Sequence, residues 1–146
     1  MWGDNLSLNL WGDKLEGLRI KAEWYFHYDD GSVMGPFFNA MTAGGLSKFA
    51  EVLTTIPAPF IVIGDGTGEL FRKAVGAIIQ SGAVLRFRST LSLSEGNGDF
   101  TWASVYSDAT AQAGSGIKLN QLDQVFSKNS TQVLNIECKF TLQQGA

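Results

Sequence analysis

The sequence predicts a mainly β fold, an antiparallel β-sandwich or barrel of about eight strands with one short α-helix near residues 42–56. Three observations carry this. Long stretches alternate apolar and polar residues, as a strand with one wet face does. Turn residues recur every ~8–12 positions. Only one segment has helical spacing, whereas a βαβ fold needs helices between most strands.

The first strand reads Leu18-Arg19-Ile20-Lys21-Ala22-Glu23-Trp24-Tyr25-Phe26-His27-Tyr28, with apolar residues at the even positions. Those even positions are expected to line the core. Asp29-Asp30-Gly31-Ser32 suits a tight turn, because Asp-Gly tolerates positive φ, and the chain returns through Val33 to Phe38. In residues 42–56, Leu46, Phe49, Ala50, Leu53 and Ile56 form an apolar stripe. Thr42 can cap its start, Gly44 and Gly45 weaken its first turn, and Pro57 and Pro59 stop it.

Phe60 to Ile63 reads as a buried strand, and Gly64-Asp65-Gly66-Thr67-Gly68 as a loop. Glu69 to Ile79 is one strand, and Ser81-Gly82 a turn. From Ala83 to Leu93, Leu85, Phe87, Leu91 and Leu93 face one way and Arg86, Arg88, Thr90 and Ser92 the other. Gly96 to Asp99 is a loop tip, Phe100 to Tyr106 a strand, Ala109 to Gly116 a small-residue loop and Ile117 to Phe126 a strand. In the last strand, Val133 to Leu142, the residues Leu134, Ile136, Cys138, Phe140 and Leu142 share the apolar face.

At 146 residues the chain divides into an N-terminal arm, 1–17, and a single β-sandwich domain, 18–146. In the arm, Trp2-Gly3-Asp4-Asn5-Leu6 is echoed by Trp11-Gly12-Asp13-Lys14-Leu15. Exposed Trp and Leu are a liability in a monomer, and Trp is a favoured interface anchor. Trp2, Leu6, Trp11 and Leu15 are therefore the candidate inter-subunit contacts. The alternative is an ordinary N-terminal strand or hairpin.

Charged residues make up only 17% of a chain whose apolar content, 45%, is that of a folded protein. This balance leans toward a surface covered by a partner. A net charge of −3 with scattered basic residues argues against nucleic acid as that partner. A single cysteine makes no internal disulfide and suits a reducing compartment. No signal-peptide pattern and no membrane span are expected.

The residues able to carry chemistry point away from catalysis. A phosphate loop needs Lys and then Ser or Thr after its last glycine, but Glu69 and Leu70 follow Gly68. The only histidine, His27, falls on a polar strand face, and Cys138 on an apolar one. The acidic residues sit mostly at predicted turns, where Asp bonds to backbone. No enzyme, metal site or cofactor is expected. Tyr25, Trp102 and Tyr106 are a candidate stacking platform for a carbohydrate, with strand packing as the plainer role.

The order of segments resembles a family of small tail-associated structural proteins, of fibre or baseplate type, in phages and prophages of Gram-positive bacteria. The carrying residues are Phe60-Ile61-Val62-Ile63-Gly64-Asp65-Gly66-Thr67-Gly68, Leu70-Phe71-Arg72-Lys73-Ala74-Val75, Ser94-Glu95-Gly96-Asn97-Gly98-Asp99-Phe100-Thr101 and the loop Ala109 to Gly116. The likeness covers roughly residues 18 to 142. In the family the loop after Gly-Thr-Gly is longer and rich in Pro, Ser and Asp, whereas here Glu69 follows at once; the doubled Trp-Gly-Asp segment is not a family trait. The resemblance implies a virion component made in the bacterial cytoplasm. It implies no cofactor, and as partners copies of the chain and other virion structural proteins. The alternatives are a host-surface glycan-binding module and a capsid decoration protein.

Overall fold

A computed structural model describes residues 18–145, and the arm with Trp2, Leu6, Trp11 and Leu15 lies outside them. In chain order the elements are β1 (Leu18–Ile20), β2 (Glu23–His27), β3 (Val33–Phe38), α1 (Ala43–Leu53), β4 (Phe60–Asp65), β5 (Gly68–Ala74) and β6 (Ala77–Ser81). They continue as β7 (Val84–Leu91), β8 (Gly98–Ser107), β9 (Ile117–Lys118), β10 (Leu122–Lys128) and β11 (Leu134–Gln144). The fold is mainly β with one short helix, as expected, and sandwich-like rather than a closed barrel. One sheet has the order β1-β11-β7-β6, and the other has β10-β8-β4-β5 with β9 also on β8. Every pairing is antiparallel except β1 on β11.

The core lies between these sheets because each offers one apolar face. Leu85, Phe87, Cys138 and Leu142 of the first sheet meet Val105 of the second and Ala50 of the helix. Leu91 and Ile136 meet Ile61, Ile63, Phe100 and Ala103. The alternation read in the two long strands of the first sheet is thus realised, with Leu134 and Phe140 half-buried at the margins. Leu93 departs from it: it lies beyond the end of β7 and is exposed. The opposite face of this sheet is polar, and Glu137 there accepts from Arg86 at 2.7 Å and Arg88 at 2.6 Å.

The helix starts where its cap predicts. Thr42 Oγ1 accepts from the Gly45 amide at 2.9 Å. Leu46, Ala50, Leu53 and Ile56 pack on the core, but Phe49, assigned to the same stripe, is exposed.

Eleven strands replace the expected eight because three predicted strands are each broken in two. The stretch Glu69 to Ile79 changes sheet at Val75–Gly76, where the Val75 amide donates to Pro59 and the Gly76 amide to Arg88. The stretch Ile117 to Phe126 breaks at Asn120, whose Oδ1 takes the Val105 amide at 2.8 Å, a bond a backbone carbonyl would otherwise make. The stretch Leu18 to Tyr28 breaks at Lys21–Ala22. Only its first part joins one of the two sandwich sheets, so the expectation that its even residues line the core holds for Ile20 alone. Leu18, Trp24, Phe26 and Tyr28 are exposed.

Candidate assembly surface

The second part of that broken strand, β2, pairs only with β3, and this hairpin belongs to neither sheet. Its turn is built by Asp30, whose Oδ1 accepts from the Ser32 amide at 2.9 Å and hydroxyl at 2.6 Å. Trp24 pairs with Phe37 and Phe26 with Met34, so two steps on β2 oppose three on β3. That mismatch is a β-bulge at Gly35–Pro36. Gly35 has φ +122°, and a Cβ there would collide with the Trp24 carbonyl. The bulge resets the alternation, so Met34 and Phe37, three apart, share a face.

That face holds Trp24, Phe26, Met34 and Phe37 and no charged residue, because directly opposed residues in a ladder point the same way. The Phe26 and Phe37 rings lie 5.9 Å apart, and the Tyr28 hydroxyl reaches Met34 Sδ at 3.6 Å. Trp24 Nε1 donates to Asn39 Oδ1 at 2.7 Å, which fixes the indole. The other face is mixed. Glu23 pairs with Lys21 at 3.6 Å and accepts from the Tyr25 hydroxyl at 3.1 Å. That hydrogen bond to Glu23 raises the Tyr25 pKa above its ordinary value. Lys21 Nζ sits 4.7 Å from the Phe38 ring centre, and His27 lies beside Tyr25.

The exposure is large. Trp24 keeps 55% of its surface and Phe38 60%, and every residue of both strands is exposed. A lone two-stranded hairpin is marginally stable in water, and contiguous apolar patches of this kind mark interaction sites. At the hairpin's base is a cleft of about 150 Å³ lined by Lys21, Ala22, Phe38, Asn39, Gln144 and Gly145. That is below the ~300 Å³ at which small-molecule pockets begin.

The expected stacking platform is divided between two regions. Trp102 and Tyr106 share the outer face of the five-stranded sheet, opposite Gly64 and Phe60, while Tyr25 stands on the hairpin's mixed face. Both β8 aromatics are already engaged. Lys118 Nζ lies 4.6 Å from the Trp102 ring, and Trp102 Nε1 donates to the Asp65 carbonyl at 2.9 Å. The Arg72 guanidinium lies 5.4 Å from the Tyr106 ring and 5.8 Å from Phe60.

Arg72 organises this face. It forms a two-bond pair with Glu69, at 2.5 and 2.7 Å, and donates to the Thr110 carbonyl, the Ser115 carbonyl and Ser115 Oγ. Glu69 also accepts from the Gly114 amide at 3.1 Å. The small-residue loop is thereby pinned over the sheet. The hydrogen bonds from Arg72 hold the Glu69 carboxyl below its usual range, and Glu69 in turn raises Arg72. Glu69 and Arg72 share a face only because Leu70 is bulged out, with Ile63 opposite Phe71 and Gly64 opposite Glu69.

The remaining motif residues are likewise absorbed by the fold. Asp65 Oδ1 holds the Thr67 amide at 2.8 Å in a two-residue hairpin turn, the turn role read for that glycine loop. Glu95 takes Lys73 at 2.6 Å and the Ser92 amide at 2.9 Å, and these bonds lower its pKa to about 2. Asn97 Oδ1 accepts from buried Lys128 at 2.7 Å. Cys138 is buried in the sandwich and receives Asn120 Nδ2 at 3.5 Å, while His27 is exposed on the hairpin. No group of three or more His, Cys, Asp and Glu placed to hold a metal occurs among the described residues, and no helix there is long and apolar enough to cross a membrane.

Comparison with known proteins gives no match, whether to a family model, a curated protein or a solved structure.

Proposed function

We propose that the chain is a structural subunit of a tailed phage or phage-like particle, associated with the tail, fibre or baseplate. It acts by docking and self-assembly and performs no catalysis. The observation that supports this reading is the uncharged aromatic face of the β2–β3 hairpin, which no other described element covers. A freely soluble monomer gains nothing from such a face, while a subunit of a larger body buries it. The resemblance of residues 18 to 142 to tail-associated proteins supplies the kind of body. The virion is then the site of action, reached after synthesis in the bacterial cytoplasm.

The test is mass spectrometry of density-purified particles from a strain carrying the gene, with immunogold labelling to locate the protein. The expected result is many copies per particle with label on the tail or its tip. Label on the head instead selects a capsid decoration protein. Absence from particles, with the protein recovered free in the lysate, overturns the reading.

A further inference from the structure

We propose that the apolar face of the β2–β3 hairpin is closed by the same face of a second copy of this chain, the two hairpins stacking face to face across an isologous contact. The proposal rests on the assembly reading above and names the partner for that surface.

Three features favour a second copy. First, an isologous contact must be self-complementary. Trp24, Phe26 and Phe37 with Met34 form a patch without charge, and aromatic rings pack well on other aromatic rings and on Met sulfur. A partner of different chemistry would need a charge or hydrogen-bonding group to read, and the two this face offers, Trp24 Nε1 and the Tyr28 hydroxyl, are already directed to Asn39 and Met34.

Second, the face supplies a substantial part of the area needed. It carries Trp24, Phe26, Phe37 and Tyr28, each about half exposed, with Met34. At ~150–250 Å² per aromatic side chain, those four alone offer about 400 Å². A stable complex takes ~800 Å² per partner, so this face supplies about half of one side of such an interface and its rim the rest.

Third, the flanking charges do not oppose pairing. Lys21 and Glu23 neutralise each other within one copy, at 3.6 Å. Asp29 and Asp30 lie at the turn, so an antiparallel stacking, which sets the turn of one copy at the open end of the other, keeps like charges apart.

The experiment uses the full chain. Light scattering after size exclusion, across a concentration series, compares the parent with the double variant Trp24→Glu/Phe37→Glu and with Tyr25→Ala on the opposite face. Both apolar residues are exposed in the single chain, so far-UV circular dichroism and the thermal unfolding midpoint at low concentration should match the parent. Oxidative cross-linking of Met34→Cys, with His27→Cys as the opposite-face control, gives an independent readout; native Cys138 is buried and does not compete. The expected results are a parent that associates, a double variant weakened by at least about 30-fold (the loss of one desolvated aromatic anchor), an unchanged Tyr25→Ala, and covalent dimer from Met34→Cys alone.

Three results overturn the proposal. If the parent is monomeric and Met34→Cys does not cross-link, residues 1–17 or a different protein cover the face. If the double variant associates as tightly as the parent, the contact lies elsewhere. If both cysteine variants cross-link equally, the encounter is unspecific. The two readings fail separately: paired hairpins in a protein missing from particles sink only the virion assignment, and a monomer found in particles sinks only the pairing.

Discussion

The outer face of the five-stranded sheet and the β2–β3 hairpin both carry aromatic residues away from the sandwich core, and they treat them in opposite ways. On the sheet, Tyr106 and Phe60 lie beside Arg72, Trp102 lies beside Lys118, and the loop Ala109 to Gly116 is drawn over them by hydrogen bonds to Arg72 and Glu69. On the hairpin, Trp24, Phe26, Met34 and Phe37 meet only one another, Tyr28 and Asn39 among the partners identified. Both faces use the same device, a bulge that puts residues three apart on one side. In one case the bulge assembles an ion pair that closes the face from within. In the other it assembles a patch that needs closing from outside.

If that contrast is right, substitutions should separate stability from association. The largest loss of stability should come from the sandwich. Phe87, fully buried, should cost ~3–5 kcal/mol on truncation to Ala in a denaturant titration. A much smaller loss would mean the two sheets do not share one packed core. Next comes Arg72→Met, which strands Glu69 under the pinned loop. With side-chain exposures of 5% and 13%, the pair is buried enough that breaking it should cost on the order of 3 kcal/mol. Unchanged stability, or a loop still protected from hydrogen exchange, would show that Arg72 does not hold the face closed.

Gly64→Ala should cost less, about 1–3 kcal/mol by thermal unfolding, because its Cβ would overlap the Trp102 ring and the Gly68 carbonyl. A neutral outcome would show that Trp102 is free to move off the sheet. Smaller still is a pH effect. The Glu95 carboxyl is lowered from an ordinary 4.5 to about 2. Its contribution is therefore fully present above about pH 4.5 and is lost as pH falls toward 2. Glu95→Gln should flatten the stability profile in that window, and a profile parallel to the parent's would remove Glu95 as a cause. At the small end, Phe26→Ala should change monomer stability by less than ~0.5 kcal/mol while weakening association. A loss of several kcal/mol would place Phe26 in the core and erase the contrast.

Much of this was readable in the chain. Leu85, Phe87, Ile136, Cys138 and Leu142 were assignable to one buried face because a regular strand has a period of two. Thr42 as a cap and Gly66–Thr67 as a turn follow from local hydrogen bonding. The alternation from Leu18 to Tyr28 was equally legible, and it marks two short strands, β1 and β2, rather than the one strand expected. It does not say what covers their apolar side. Of its large apolar residues only Ile20 packs on the core, half-buried, and Leu18, Trp24, Phe26 and Tyr28 are exposed.

The bulges were not legible. Glu69 and Arg72, or Met34 and Phe37, should lie on opposite faces by simple alternation, since a register shift is a property of two strands together. The sheet change at Val75–Gly76 and the Asn120 interruption are hidden for the same reason, because each depends on what a distant strand presents. Local periodicity and turn chemistry thus determined that this chain is a β protein, where its turns and cap lie, and which long strands face the core. Only the tertiary structure decided which strands join a sheet, which residues a bulge gathers on one face, and that the aromatic hairpin is left bare. Those outcomes turn on pairing between segments far apart in the chain, where a shift of one residue exchanges the inside for the outside.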